Sequence, residues 1–166
     1  MALPVNGIEQ SLHDFMAQHH VQLSGHTKLE ARFWPEHPAL GIPELALCFS
    51  GGLSSAFVLI VEAKLWSGKS WFGDSDQLHR YLKILKNLHD LNVPLSQPEL
   101  RNATAALLYL TLHESLAELK ETSALCEDEP ELREVLFRAQ WQDIPQAAEA
   151  SHQDRNCRTS FRRSTP

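Results

Sequence analysis

The chain lacks any apolar run long enough to cross a membrane as a helix, which takes about 20 predominantly apolar residues. Its 166 residues include three cysteines, Cys48, Cys126 and Cys157. They are far apart and odd in number, with no C-x-x-C pair and no zinc or cluster spacing, so neither a disulfide framework nor a thiolate metal site is expected. A reducing, cytoplasmic setting fits them best. The opening Met-Ala-Leu-Pro-Val-Asn-Gly has no charged region followed by an apolar one, so no signal peptide is expected. Internal repeats are also missing.

Positive charge is the other shortage. Fifteen Lys and Arg face twenty-one Asp and Glu, a formal net charge of −6. Residues 151–166 hold four Arg and one Asp, so residues 1–150 carry eleven basic and twenty acidic side chains, a net −9. An acidic body counts against strong non-specific binding to nucleic acid, which needs several Lys/Arg–phosphate contacts. The polar, basic tail has little to bury and is expected to be frayed or disordered. The expected organisation is one domain over 1–150 followed by that tail.

What the chain does have is one strongly patterned stretch, Phe57 to Trp66. It begins as a β-branched apolar run, which reads as a buried central strand. Glu62 and Lys64 then appear two residues apart. Strand side chains alternate, so Val58, Ile60, Glu62, Lys64 and Trp66 share a face. A carboxylate and an ammonium thus stand side by side where a buried strand leaves the core. An ordinary strand-end ion pair explains that stretch equally well when it is taken alone.

The surroundings add to it. Apolar residues at Ile8, Leu12, Phe15 and Met16 predict a helix over Ile8 to His20, with Glu9 in its first turn. Thr27 to Trp34 reads as a strand broken by Pro35-Glu36-His37-Pro38. After the turn Gly41-Ile42-Pro43, Glu44 to Phe49 is a second strand, antiparallel to the central one, whose start brings Glu44 toward Glu62. Ser67 to Ser75 is a polar loop in which Trp71 and Phe72 are expected to cover the core rather than stack on a base. Its Gly68-Lys69-Ser70 triplet lacks the earlier glycine of a phosphate-binding loop, because that position is Ala63. Asp76 to His89 predicts a helix with a stripe of Leu78, Leu82, Leu85 and Leu88, Gln77 and Tyr81 sharing a face one turn apart and Arg80 nearby. Asn92 to Asn102 reads as a loop. Ala103 to Leu112 follows as a strand parallel to the central one, since a helix intervenes. A short helix over Glu114 to Glu121, a last strand over Glu134 to Trp141 and a further short helix after Pro145 complete the expected mixed α/β fold.

In order, then, Pro43-Glu44 opens a strand, Glu62-Ala63-Lys64 ends the next, and Gln77-x-x-Arg80-Tyr81 lies on the following helix. This resembles the PD-(D/E)XK nuclease superfamily, with its restriction-endonuclease-like α-β-β-β-α-β core, over roughly Ile8 to Trp141. The turn acid here is Glu44, where Asp is usual. The resemblance implies a Mg²⁺-dependent (or Mn²⁺-dependent) nuclease acting on DNA phosphodiesters, in defence, repair or mobile-element biology. It implies that Glu44, Glu62 and the Ala63 carbonyl hold the metal. Lys64 would orient the attacking water and contact the phosphate, Gln77 would hold Lys64 or the water, and Arg80 or Tyr81 would touch the nucleic-acid backbone. Glu9 matches a position where many members carry another acid.

The physical logic is independent of the family. Two carboxylates about 4 Å apart repel by roughly 4 kcal/mol at an effective dielectric of about 20, and a divalent cation between them relieves it. The alternative is a catalytically inactive module of the same fold acting as a protein-interaction subunit, which the acidic body favours. No membrane partner is expected, and a homodimer or a separate DNA-binding partner stays open. Deleting residues 151–166 is expected to leave the melting temperature nearly unchanged, and a loss of many degrees in a thermal melt would show that the tail is part of the fold.

Overall fold

The computed structural model describes residues 26–52, 55–142 and 144, together with the backbone of Leu3–Pro4. The helix expected over Ile8 to His20, with Glu9, the helix expected after Pro145 and the tail 151–166 lie outside the described residues. Mixed α/β is the observed class. The strands are β1 (Leu3–Pro4), β2 (Lys28–Phe33), β3 (Leu45–Ser50), β4 (Phe57–Lys64), β5 (Trp71–Phe72), β6 (Ser75–Asp76), β7 (Thr104–Thr111) and β8 (Leu136–Gln140). The helices are α1 (Gln77–Lys86), α2 (Gln97–Arg101), α3 (Leu116–Leu125) and α4 (Glu131–Glu134). Six strands form one sheet in the order β1-β8-β7-β4-β3-β2, and β5 and β6 form a separate hairpin.

Strand β4 is central because it can be buried on both faces. Six of its eight residues, Phe57 to Glu62, are buried. β3 pairs with it antiparallel, Leu45 opposite Val61 and Cys48 opposite Val58. β7 pairs with it parallel, Ile60 opposite Leu107 and Glu62 opposite Tyr109, as a helical crossover requires. Alternation then divides the core. Ala46, Cys48, Val58, Ile60, Leu107 and Tyr109 pack under α1 through Leu78, Tyr81, Leu82 and Ile84. Phe57, Leu59, Val61, Ala106, Leu110 and Phe137 form a second cluster on the other side. Among the described residues, no helix is long and apolar enough to cross a membrane.

Local departures from the sequence expectation have physical causes. Trp71 and Phe72 do not cover the core. They sit on the β5–β6 hairpin, 54% and 74% exposed, where Lys69 lies over the Trp71 ring and Arg80 over the Phe72 ring. The expected loop Asn92 to Asn102 contains α2, started by a reciprocal capping box between Ser96 and Glu99. The helix after β7 runs to Leu125 rather than Glu121, and α1 stops at Lys86, with a 3₁₀ turn over Leu88–Asp90.

The start of α1 is fixed by an unusually buried cation. Asp76 caps the helix, its Oδ1 accepting from the His79 N–H at 2.7 Å. Its other oxygen accepts from the Lys69 ammonium and from the Thr122 hydroxyl at 2.7 Å. Lys69 also donates to the Glu118 carbonyl at 2.7 Å and to Thr122 at 3.0 Å, with Glu121 3.2 Å away. Its side chain is only 2% exposed. Breaking such a pair from one side leaves a buried charge short of partners. Asp76→Ala is therefore expected to cost about 3 kcal/mol or more, against about 1 kcal/mol for Thr122→Val; equal losses for the two in urea titrations would show that the Lys69–Asp76 pair does not anchor the helix.

Candidate active site

The site lies where β4 leaves the core. Alternation turns Glu62 toward α1, and the tight pairing of β4 with β7 leaves its carboxylate with no exposed surface. Lys64, two residues on, places Nζ 2.6 Å from Glu62 Oε1 and 4.0 Å from Glu44 Oε1. The two carboxylates can be no further apart than those two distances together. Glu44 stands just before β3, and its Oε2 accepts from the Ala63 N–H at 3.0 Å. In a strand the N–H and C=O of one residue point to the same side. The Lys64 carbonyl bonds the Leu112 N–H beyond β7, so Ala63 turns its backbone the other way, toward Glu44. The β3–β4 pairing ends at Leu45 opposite Val61, and the residues before it are Glu44 and Pro43, the second of which has no N–H to give a carbonyl.

Gln77 opens α1 and faces the cluster. Its amide donates to Glu62 Oε1 at 2.8 Å and to the Tyr81 hydroxyl at 3.1 Å. It therefore holds Glu62, not Lys64. Tyr81, one turn on, is buried, and its hydroxyl donates to the Ile42 carbonyl at 2.8 Å. The hydroxyl expected at the nucleic-acid backbone is thus engaged inside the protein and acts on the site through Gln77. Gly41 lies beside it in a conformation suited to glycine. A Cβ there would lie 3.4 Å from the Tyr81 ring, and its φ of +115° is one that a side chain rarely adopts. Arg80 sits at the margin, half-buried, with its guanidinium carbon 5.5 Å from the centre of the Phe72 ring.

One oxygen is unaccounted for. Glu62 Oε2 is buried and makes no hydrogen bond. A buried acceptor without a donor is costly, and an oxygen-seeking cation would satisfy it. Glu44, Glu62 and the Ala63 carbonyl are the oxygen donors the site offers, a hard set suited to Mg²⁺ or Mn²⁺. Among the described residues, no group of three or more His, Cys, Asp or Glu side chains is placed to hold a metal. Two carboxylates are what Mg²⁺ commonly takes from a protein, with water and substrate oxygens completing its shell.

Residues that carried no visible signal support the site from behind. Lys69, in the polar loop, anchors α1 as described above. Gly68 lies against the Glu118 carboxylate, and a Cβ there would collide with Oε1. Glu118 accepts from the Lys69 N–H at 3.1 Å and from the buried Tyr109 hydroxyl at 2.8 Å. The Gly68-Lys69 pair matches no motif, because the glycine of a phosphate-binding loop is missing, so its structural use was not visible in the sequence.

Burial is the larger influence on Glu62 and lifts its carboxyl above the ordinary value of 4.5; the hydrogen bond and charge of Lys64 pull it down, and the charge of Glu44 pushes it up. An acid with a raised folded-state pKa makes the fold less stable as pH rises from its unfolded value through its folded value, and the penalty is complete above that window. Glu62→Gln is expected to flatten this fall in metal-free stability between the two values and to leave the variant at least as stable as wild type at neutral pH. Urea titrations across that range check it, and a variant clearly less stable than wild type at neutral pH would contradict it.

No protein-family model matches the chain, and no matching curated protein or solved structure was found.

Proposed function

We propose that the protein is a Mg²⁺-dependent nuclease that hydrolyses DNA phosphodiester bonds, built on a restriction-endonuclease-like core. The observation that carries this reading is the convergence of Glu44, Glu62, Lys64 and Gln77 at the exit of one buried strand, with Glu62 Oε2 left without a partner. The order of β2, β3, β4, α1 and β7 is in keeping with that core. Glu44, Glu62 and the Ala63 carbonyl would hold the ion, which when bound would supply positive charge at a phosphoryl oxygen.

The chain's own groups account for the remaining tasks. The Lys64 ammonium, 18% exposed, is the one cation within reach of both acids among the described residues. It would orient the attacking water and donate to the phosphate as the P–O bond to the leaving oxygen breaks. Gln77 fixes the rotamer of Glu62, and Tyr81 fixes Gln77 against the Ile42 carbonyl. Arg80 is the group at the margin suited to the flanking phosphate.

The inactive interaction module remains the second reading, favoured by the net charge of −6 and by the Lys64–Glu62 ion pair, which already neutralises one acid. Labelled DNAs incubated with Mg²⁺ or Mn²⁺ separate the two. Wild type is expected to cleave, Lys64→Ala to lose about 10²-fold or more in rate while still binding Mn²⁺ by calorimetry, and Glu62→Ala to lose both. Absence of cleavage together with absence of Mn²⁺ binding in wild type would favour the module.

A further inference from the structure

Beside the acid–lysine cluster, a cleft of about 650 Å³ opens at the end of the sheet. Its wall includes Glu44 and Lys64 themselves, and its aromatic residues are Phe33, Trp34, Trp66 and Trp141. The size is within the range of about 300–1,000 Å³ in which organic ligands bind. Three of these rings are left largely in water: Phe33 is 62% exposed, Trp34 69% and Trp66 84%. Apolar surface gathered in this way around a concavity marks a binding site more often than chance exposure does.

The cleft and the acids are mechanically connected. Trp34 has φ +49°, the only described residue other than glycine with positive φ. A bulky side chain in the left-handed region is strained, and such strain collects at functional sites. What holds it there is the hydrogen bond from the Trp34 N–H to the Glu44 carbonyl at 3.0 Å. The neighbouring Phe33 ring lies 5.9 Å from the Trp34 ring, tilted by 50°. The residue that presents one acid to the site thus also presents the tryptophan to the cleft.

Charge decides what fits. With a net −6, the chain is poorly equipped to hold a duplex through rows of phosphate contacts. Stacking on aromatic rings adds affinity for each base beyond what phosphate contacts supply, and only unpaired bases expose their faces. We infer that the cleft is a stacking subsite for the bases of single-stranded DNA, holding the strand across Glu44 and Lys64. The inference rests on the proposed nuclease reading for the fate of the phosphate, and stands apart from it for the stacking itself.

The test compares a short fluorescein-labelled single strand with its duplex by anisotropy, with Ca²⁺ in place of Mg²⁺, and by cleavage in Mg²⁺. Wild type is expected to bind the single strand at least about tenfold more tightly than the duplex. Trp66→Ala and Trp34→Gly, the latter tolerant of the left-handed backbone, are each expected to weaken single-strand binding about tenfold, as the loss of one stacked base would. Their salt dependence should not change, and Trp66→Phe should restore most of the affinity. Far-UV circular dichroism confirms that each variant is folded.

Tryptophan-dependent binding without cleavage would support the subsite and remove the nuclease reading. Cleavage that is indifferent to strandedness and unaltered in the tryptophan variants would overturn the subsite and leave the nuclease reading intact. Failure to bind the single strand would also overturn it. A dimer on gel filtration that the tryptophan changes dissolve, with strand binding unaltered, would assign the cleft to a second copy of the chain instead.

Discussion

The structure turns on a carboxylate placed where it has no water. Glu62 is wholly buried on the face of β4 that packs under α1, and the interior penalises an ionised group severely unless it is paired. Lys64 and Gln77 meet one of its oxygens. Gln77 reaches it only because α1 begins at that height above the sheet, and α1 begins there because Asp76 is pinned by the buried Lys69. Lys69 in turn needs the Glu118 carbonyl and the Thr122 hydroxyl of α3. One ion pair is thus underwritten by a second, and the second by a helix that lies beyond β7 in sequence. Buried ion pairs are weak sources of stability, since apolar residues of the same shape commonly serve as well. The extent of the network here follows from burial, since Glu62 and Lys69 each bring a charge where there is almost no exposed surface.

The sequence made part of this visible, for reasons that differ from residue to residue. Period-two alternation through a β-branched run located β4 and put Glu62 and Lys64 on one face. A proline-containing turn located the start of β3, and hence Glu44. The spacing of Gln77 and Tyr81 put both on one face of α1. These signals are local, extending over a turn of helix or a few strand residues. Lys69 had none. It lies among serines, glycines and exposed aromatics, and its burial depends on contacts 49 and 53 residues away. The exposure of Trp71 and Phe72 was hidden for a different reason, because the hairpin that lifts them off the core is made by a local backbone turn at Gly73 (φ +60°) that leaves no hydrophobic pattern. The length of α3 was obscured by a nearly even distribution of apolar and polar residues around its axis. The capping box of α2 was in plain view at Ser96 and Glu99, but it opens a helix of only five residues, too short to show a periodic stripe.

Gly41 has no functional group, yet its position ties the chemistry to the shape of the chain. The Tyr81 ring and the Arg80 guanidinium lie 3.4 Å and 3.7 Å from where its side chain would begin, and its backbone already has a conformation that few residues adopt. Those are ordinary contact distances, so the backbone is what excludes other residues: a side chain at φ +115° is strained, and relieving the strain would move the turn whose Ile42 carbonyl holds Tyr81, and through it Gln77 and Glu62. The tolerance of the site to substitution is therefore set partly by the conformation of one turn residue. A survey of variants guided only by reactive side chains would attribute to Tyr81 or Gln77 a sensitivity that originates in the positive φ of a turn glycine.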